Sequence, residues 1–348
     1  MKRNLLLTAM LAATMLGAAA SQALEPITNR VSLSLRAAFN VKAKFTGSLA
    51  LGTPAVPRTT PNGANYNYDD GYVFNDVSGS GDGLTWYWGY DDSASQVNAG
   101  NNTILLSRAT GNASLRAPEM DDDGALGFEL AYADELDRGE RTRYGWEAAL
   151  NWTPFDFSSG GSYRARGSRQ VDAYPFTPGT TPPGATPGSP FQGTFDGPGF
   201  VIGNTPVSSS TTVGTPIGTV TGSRSLDADL WGGRLGGYLE WDLDDDVTFL
   251  LSGGLAIGYV DVSARWNETL TLDSGGTYTD AGRGSDDDWR LGFYLAAHLN
   301  WRLSERWSAV GGVQYQNLGK YAHSFGSRRV ELDLRHTFFV ALGLGYNF

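Results

Sequence analysis

Apolar and polar side chains alternate along most of this chain. Val31, Leu33, Leu35, Ala37, Phe39, Val41, Ala43 and Phe45 hold one side of a period-two pattern, and Ser32, Ser34, Arg36, Ala38, Asn40, Lys42 and Lys44 the other. Successive side chains of a strand point to opposite faces, so residues 31–45 are predicted to form one strand with an apolar and a polar face. The pattern recurs in seven further segments. Leu126, Phe128, Leu130 and Tyr132 oppose Glu129; Tyr144, Trp146, Leu150 and Trp152 oppose Glu147; Trp231, Leu235, Leu239 and Trp241 oppose Arg234, Tyr238 and Glu240. Phe249, Leu251, Leu255, Ile257 and Tyr259 form the fifth apolar row, and Trp289, Leu291, Phe293, Leu295, Leu299 and Trp301 the sixth, opposite Arg290, Tyr294, His298 and Arg302. Trp307 to Tyr315 forms the seventh. In the last, Leu332, Leu334, Phe338, Val340, Leu342, Leu344, Tyr346 and Phe348 oppose Glu331, Asp333 and Arg335.

Eight such strands, an even number, predict a closed antiparallel sheet with both termini on one side. The connections alternate in length: those around 134–143, 243–246 and 304–306 are short, and 46–123, 156–227, 265–286 and 317–329 are long. Aromatics mark the ends of the apolar rows, as at Trp231 and Trp241 or Trp289 and Trp301. About ten residues at ~3.3 Å each, tilted ~40°, give an apolar band roughly 25 Å tall, the height of a membrane-facing belt between two interfacial aromatic girdles. The expected fold class is all-β: a transmembrane antiparallel up-and-down β-barrel of eight strands with long extracellular loops. If the long loops add two to four strands to the wall, a pore becomes the better reading.

Composition narrows the function classes. Forty-six of the 348 residues are glycine, none is cysteine, and the formal net charge is −11. The missing cysteines exclude disulfide scaffolds, thiolate metal sites and cysteine nucleophiles, and the acidic balance argues against a nucleic-acid partner. Lys2 and Arg3, an apolar run from Leu5 to Ala20, and small residues allowing cleavage after Ala20 or Ala23 read as a secretory signal peptide. The expected organisation is therefore a signal peptide over 1–23 and a barrel over 24–348, with large external loops at about 46–123 and 156–227.

The C-terminal run Val340, Leu342, Leu344, Tyr346 and Phe348 resembles the last strand of bacterial outer-membrane β-barrels, the superfamily of small barrels of the OmpA, OmpX and OmpW type. The resemblance implies an outer-membrane location, periplasmic chaperones and the barrel-assembly machinery as partners, and a role for those five residues as the assembly signal. It implies no cofactor, and the chain is expected to lack the appended peptidoglycan-binding domain of OmpA-type proteins.

An eight-stranded barrel has room inside for little more than its own side chains. Arg36, Glu129, Glu147, Arg234, Tyr238, Glu240, Arg290, His298, Arg302, Asp333 and Arg335 form the expected lumen, with two readings: a plug of paired charges, since unpaired buried charges are costly, or a narrow passage. Residues 173–223, rich in Pro, Gly, Ser and Thr, read as a mobile external coat. Trp86, Trp88 and Tyr90, beside Asp91 and Asp92, read either as a glycan-stacking surface or as aromatics packed on the barrel mouth. The acidic triplets 121–123 and 286–288 lie where divalent cations could bridge to lipopolysaccharide phosphates, although EF-hand spacing is missing. For catalysis only three histidines are available: His298 inward, His323 in the last loop without an acid nearby, and His336 on the lipid side. The expected function is non-enzymatic: an integral outer-membrane protein acting structurally and through surface interactions of its loops, contacting membrane lipid and lipopolysaccharide, with a surface glycan or a small solute as a further candidate partner. The alternative is a narrow porin-like passive channel for small solutes.

Overall fold

A computed structural model describes residues 29–52, 65–122, 124–274 and 276–348. The segment read as a signal peptide and the loop residues 53–64 lie outside the described residues. In chain order, β1 (Asn29–Phe39) and β2 (Val41–Ala50) are separated only by Asn40. Short elements follow: β3 (Tyr66–Tyr68), β4 (Gly71–Val73), β5 (Leu84–Thr85), β6 (Trp88–Tyr90), a helical turn α1 (Ser93–Gln96) and β7 (Val97–Asn98). Next come β8 (Thr103–Arg116), β9 (Met120–Asp122), β10 (Ala125–Arg138) and β11 (Thr142–Pro175), then the short β12 (Phe191–Gln192) and β13 (Ile202–Gly203). The chain ends with β14 (Ser208–Asp242), β15 (Val247–Leu272), β16 (Thr277–Arg302), β17 (Trp307–Asn317), β18 (Lys320–Phe325), β19 (Arg328–Asp333) and β20 (Thr337–Asn347).

Antiparallel pairing runs β1–β10–β11–β14–β15–β16–β17–β20 and returns to β1. Outward-facing side chains of this ring are apolar and exposed, among them Leu291 at 80% and Leu255 at 74%. A continuous apolar belt of this kind on a soluble monomer would be an aggregation surface. Its edges are aromatic: Trp152, Trp231, Tyr259 and Trp289 at one end and Trp146, Trp241, Trp301 and Trp307 at the other.

The described residues hold twenty strands, not eight, and the wall does not stop at the belt. A 35-residue strand such as β14, at ~3.3 Å per residue and ~40° tilt, spans on the order of 90 Å against ~25 Å for the belt. β11, β14, β15 and β16 run through the upper belt edge into a second storey. There β8 takes the place of β10, β2 that of β1, β19 that of β20, and β18 that of β17. Side chains join β18 and β19 to β16: the Tyr321 hydroxyl of β18 donates to Asp286 at 2.9 Å and Arg328 Nε of β19 to Asp280 at 2.6 Å. The segments 156–227 and 265–286, expected as loops, are therefore largely strand.

At the belt edge the apolar side changes from outside to inside. In β14, odd positions from Thr219 to Trp241 face outward. Trp231 and Leu235 lie in the belt, Asp229 and Asp227 beyond it, and the inward partners beyond the edge are Leu230, Ala228 and Leu226, all buried. In β1 and β2 the chain itself turns over: Leu35 and Phe39 face out, but after Asn40, at φ +62°, the odd residues Val41, Ala43 and Phe45 face in and are buried. The expectation of one unbroken strand with these residues on one face is thus corrected. Gly319, at φ +76°, turns the chain over between β17 and β18 in the same way, and a turn at 334–336 does so between β19 and β20.

Asn40 has a left-handed backbone that side chains without a local hydrogen bond tolerate poorly, and its Nδ2 donates to the His336 carbonyl at 2.8 Å. Asn40→Gly should leave stability nearly unchanged, whereas Asn40→Val should cost about 1–2 kcal/mol, read as a shift in urea midpoint of the detergent-folded protein.

Candidate functional site: the filled interior, the head and the outer face

Glu129 on β10 and Glu147 on β11 meet Arg36 from β1 and Arg234 from β14 inside the belt. Arg36 Nη1 lies 2.9 Å from Glu129 and Arg234 Nη2 2.8 Å, while Arg234 Nη1 also pairs with Glu147. Tyr294 donates its hydroxyl to Glu147 at 3.0 Å, and the Arg36 guanidinium covers the Phe339 ring at 3.4 Å. Inward glycines make the room. A Cβ at Gly312 would stand 2.2 Å from the His298 ring, and one at Gly236 2.6 Å from the Tyr294 hydroxyl. All of Arg36, Glu129, Glu147, Arg234, Tyr238, Glu240 and His298 are buried, and the cavity beside the cluster measures about 20 Å³, room for roughly one water molecule.

Below the cluster the barrel opens into a mouth cavity of about 470 Å³, lined by Arg30, Arg143, Glu240 and the exposed Arg302. Arg290 sits at the other end, half-buried and paired with Asp288 at 2.6 Å. Asp333 and Arg335 are not in the lumen. They face outward on the second storey and pair with each other at 2.8 Å, and their neighbours Leu332 and Leu334 are the buried ones. The reason is the turn at 334–336, which reverses the faces between β19 and β20. Burial pushes the Asp333 carboxyl up, but hydrogen bonds from Arg335 and Lys320 outweigh it and hold the group at about 2.

Above the cluster the interior is apolar. Phe155, Phe157, Leu226, Leu230, Val260, Val262 and Leu332 belong to one buried column that reaches Trp266 and Leu270. Higher still a second ionic group interrupts it: Glu268 lies 3.1 Å from Arg224 and 2.6 Å from Arg328, and Tyr163 donates to it at 3.1 Å. Burial, foremost, raises the Tyr163 hydroxyl above its usual range.

The far end is closed by a small aromatic head, in line with the reading of Trp88 and Tyr90 as aromatics packed on the barrel mouth; the share that residues 173–223 take in it was not expected. Trp88, Tyr90, Ile104, Tyr174, Phe176 and Ile202 share a second core, against which Phe191 and Phe200 pack. Residues 173–223 are therefore not a mobile coat: β11 ends and β14 begins within them, and the part between is packed into the head. Trp88 and Tyr90 are fully buried rather than displayed for a glycan, and Trp86 is partly buried with Nε1 donating to the Phe195 carbonyl at 3.3 Å. Two carboxylates dock the head. Asp69 accepts from the Ala109 backbone N–H and Asp70 from that of Ser107, each at 2.6 Å, so side chains satisfy the edge of β8 where a strand would otherwise pair. Burial pushes the Asp70 carboxyl up.

His323, expected without an acid, lies on β18 with Nδ1 2.7 Å from Asp286. His336 stands in the turn before β20, its Nδ1 3.0 Å from the belt residue Tyr315. Among the described residues, no three His, Asp or Glu side chains gather into a metal-holding group. Val340, Leu342, Leu344, Tyr346 and Phe348 form one outward row on β20, and Phe348 pairs through its backbone with Asn29 at 2.9 Å.

Glu129→Ala would leave two buried guanidiniums facing each other without their shared carboxylate, and should cost about 3–5 kcal/mol in denaturant unfolding. Replacing Asp69 and Asp70 together by Ala should open residues 65–108 to protease while the belt stays protected. Equal protection of both regions would show that the docking carboxylates are dispensable.

No protein-family model matches the chain, and no curated protein matches it in sequence. Solved structures do resemble it. The attachment invasion locus protein Ail of Yersinia pestis aligns over 92% of this chain and 100% of its own at 9% identity and a TM-score of 0.27. The outer membrane protein OprG of Pseudomonas aeruginosa aligns over 92% and 96% at 12% identity and 0.32, and Neisserial surface protein A over 92% and 97% at 8% and 0.24.

Proposed function

We propose that this chain is an integral outer-membrane protein whose eight-membered ring β1–β10–β11–β14–β15–β16–β17–β20 spans the membrane, and whose second storey and head stand outside the cell as a fixed surface for structural and interaction roles. The reading makes it neither an enzyme nor a channel. The observation that carries it is the filled interior: the Arg36–Glu129–Arg234–Glu147 cluster, the apolar column from Phe155 to Leu270, and the aromatic head lie one above another on the barrel axis. A solute path would need a polar, water-filled lumen, and the apolar column presents the opposite surface. The orientation follows from the short turns at the end that carries both Asn29 and Phe348, which is the periplasmic side of a barrel exported by a leader at residues 1–23. The outward row from Val340 to Phe348 then serves as the signal read by the assembly machinery, with periplasmic chaperones delivering the chain.

Purified protein in planar bilayers should give no stable unitary currents, and reproducible single-channel steps would establish the passive channel instead. Deleting Phe348 should lower the amount of heat-modifiable folded barrel in the outer-membrane fraction several-fold while leaving export unchanged.

A further inference from the structure

Just beyond the belt, the outer face of the second storey carries an acidic row on one half and a recess that gathers cations among carboxylates on the other. On one half, Asp229, Asp261 and Asp287 stand side by side in register across β14, β15 and β16. On the other, Lys42 and Lys44 of β2, Lys320 of β18 and Arg335 after β19 share a recess of about 310 Å³ with Glu119, Glu331 and Asp333, and Asn40 and His336 stand at its lower edge. The recess is tied to the belt: Tyr315, an outward aromatic of β17, donates its hydroxyl to the Arg335 carbonyl at 3.1 Å. Asp333 lies between the cations, 3.3 Å from Lys320 and 2.8 Å from Arg335, while Lys42 reaches Asp121 at 3.7 Å. These pairs are between a quarter and three-fifths exposed, so water screens them and each holds its partners weakly. A ligand with two negative charges and oxygens that match the Arg335 fork competes with them on favourable terms.

We infer that this recess binds the phosphate-bearing headgroup of an outer-leaflet glycolipid. The inference rests on the membrane reading above, which sets the height of the recess. It opens sideways at the end of the apolar belt, the level at which lipid headgroups lie beside the wall at high local concentration. Dissolved phosphate would meet the same cations only by dilute diffusion, without acyl chains anchored along the belt below. The acidic half at the same height repels such a headgroup, so one flank of the barrel is preferred.

Detergent-folded protein titrated with bis-phosphorylated lipid A, dephosphorylated lipid A and inorganic phosphate, with bound lipid counted by native mass spectrometry, tests this. The bis-phosphorylated form should bind at least ten-fold tighter than the dephosphorylated one, and inorganic phosphate should compete only weakly. Combining Lys42→Gln, Lys320→Gln and Arg335→Gln should abolish that preference. Asp333→Asn, which frees Lys320 and Arg335 from their carboxylate, should tighten binding several-fold, and Asp261→Asn on the opposite flank should change nothing. A triple variant that keeps the full preference, an Asp333→Asn variant that binds more weakly, or inorganic phosphate that displaces the lipid stoichiometrically would each overturn the assignment. If the triple variant does not fold, the opposite signs expected for Asp333→Asn and Lys42→Gln decide it alone. Loss of the barrel reading is a separate result: a wild-type chain with no heat-modifiable form and no outer-membrane fractionation.

Discussion

An apolar side chain must face outward where the wall meets lipid and inward where it meets water, and everything above the belt follows from how eight strands make that change at one level. β11, β14, β15 and β16 make it in sequence: the strand continues and the apolar residues move from one parity to the other, as at Leu230 and Trp231. The other four positions in the ring make it in backbone. Asn40, Gly124, Gly319 and the turn at 334–336 turn the chain over without changing its direction, so a new strand of opposite facing carries the wall on. The reversals support one another: Asn40 donates to His336, the Gly124 N–H to Ala38, and the Leu334 N–H to Gly319. Glycine and asparagine stand there because φ is positive, a conformation that costs other residues roughly 1–2 kcal/mol.

This division explains which parts of the fold could be read from the sequence. Within the belt, alternation identifies the strands and their faces, and Arg36, Glu129, Glu147, Arg234, Tyr238, Glu240 and His298 occupy the interior. At the edge the same signal misleads in two opposite ways. A parity change inside a continuous strand looks like the strand's end, which turned the upper halves of β11, β14, β15 and β16 into expected loops. A backbone reversal that preserves parity is invisible, so Val41, Ala43 and Phe45 were assigned to lipid. On the last segment, Asp333 and Arg335 were assigned to the lumen for a related reason: the turn at 334–336 shifts the inward parity between Leu334 and Thr337. The positive φ at Asn40 leaves no trace in a hydrophobicity pattern, although an asparagine amid a strand is the kind of residue that adopts it.

Proline misled for a local reason. A proline removes one ladder donor, and within a sheet it is tolerated where that donor has no partner. β11 loses β10 as a neighbour after the Phe128–Trp152 pair. Pro154 follows, its nitrogen on the same strand edge as that of Asp156, whose N–H donates to the Asp122 carboxylate at 3.1 Å. Pro216 of β14 lies at a register irregularity opposite Arg166. The wall thus places these prolines where a neighbouring strand has ended or is out of register, while the remainder of the proline-rich stretch folds around Trp88, Tyr90 and Tyr174. Aromatic burial replaces the regular pairing that the prolines prevent.

The filled interior and the uninterrupted strands have a joint mechanical consequence. Buried ion pairs contribute little net stability relative to apolar packing, but they specify one arrangement, because each guanidinium must find its carboxylate. Here Arg234 joins β14 to both β10 and β11, and Arg36 adds β1, so the cluster sets the relative positions of four strands within the belt. Two of those strands, β11 and β14, continue without a break into the second storey, where the Arg224–Glu268–Arg328 group ties them to β15 and β19. The head is attached at the top of β8 and β11 by Asp69, Asp70 and Tyr174. Position is therefore transmitted from the belt to the head along covalent strands rather than through a hinge. The head thus keeps a set height and rotation relative to the belt, as an ordered surface whose side chains are already fixed.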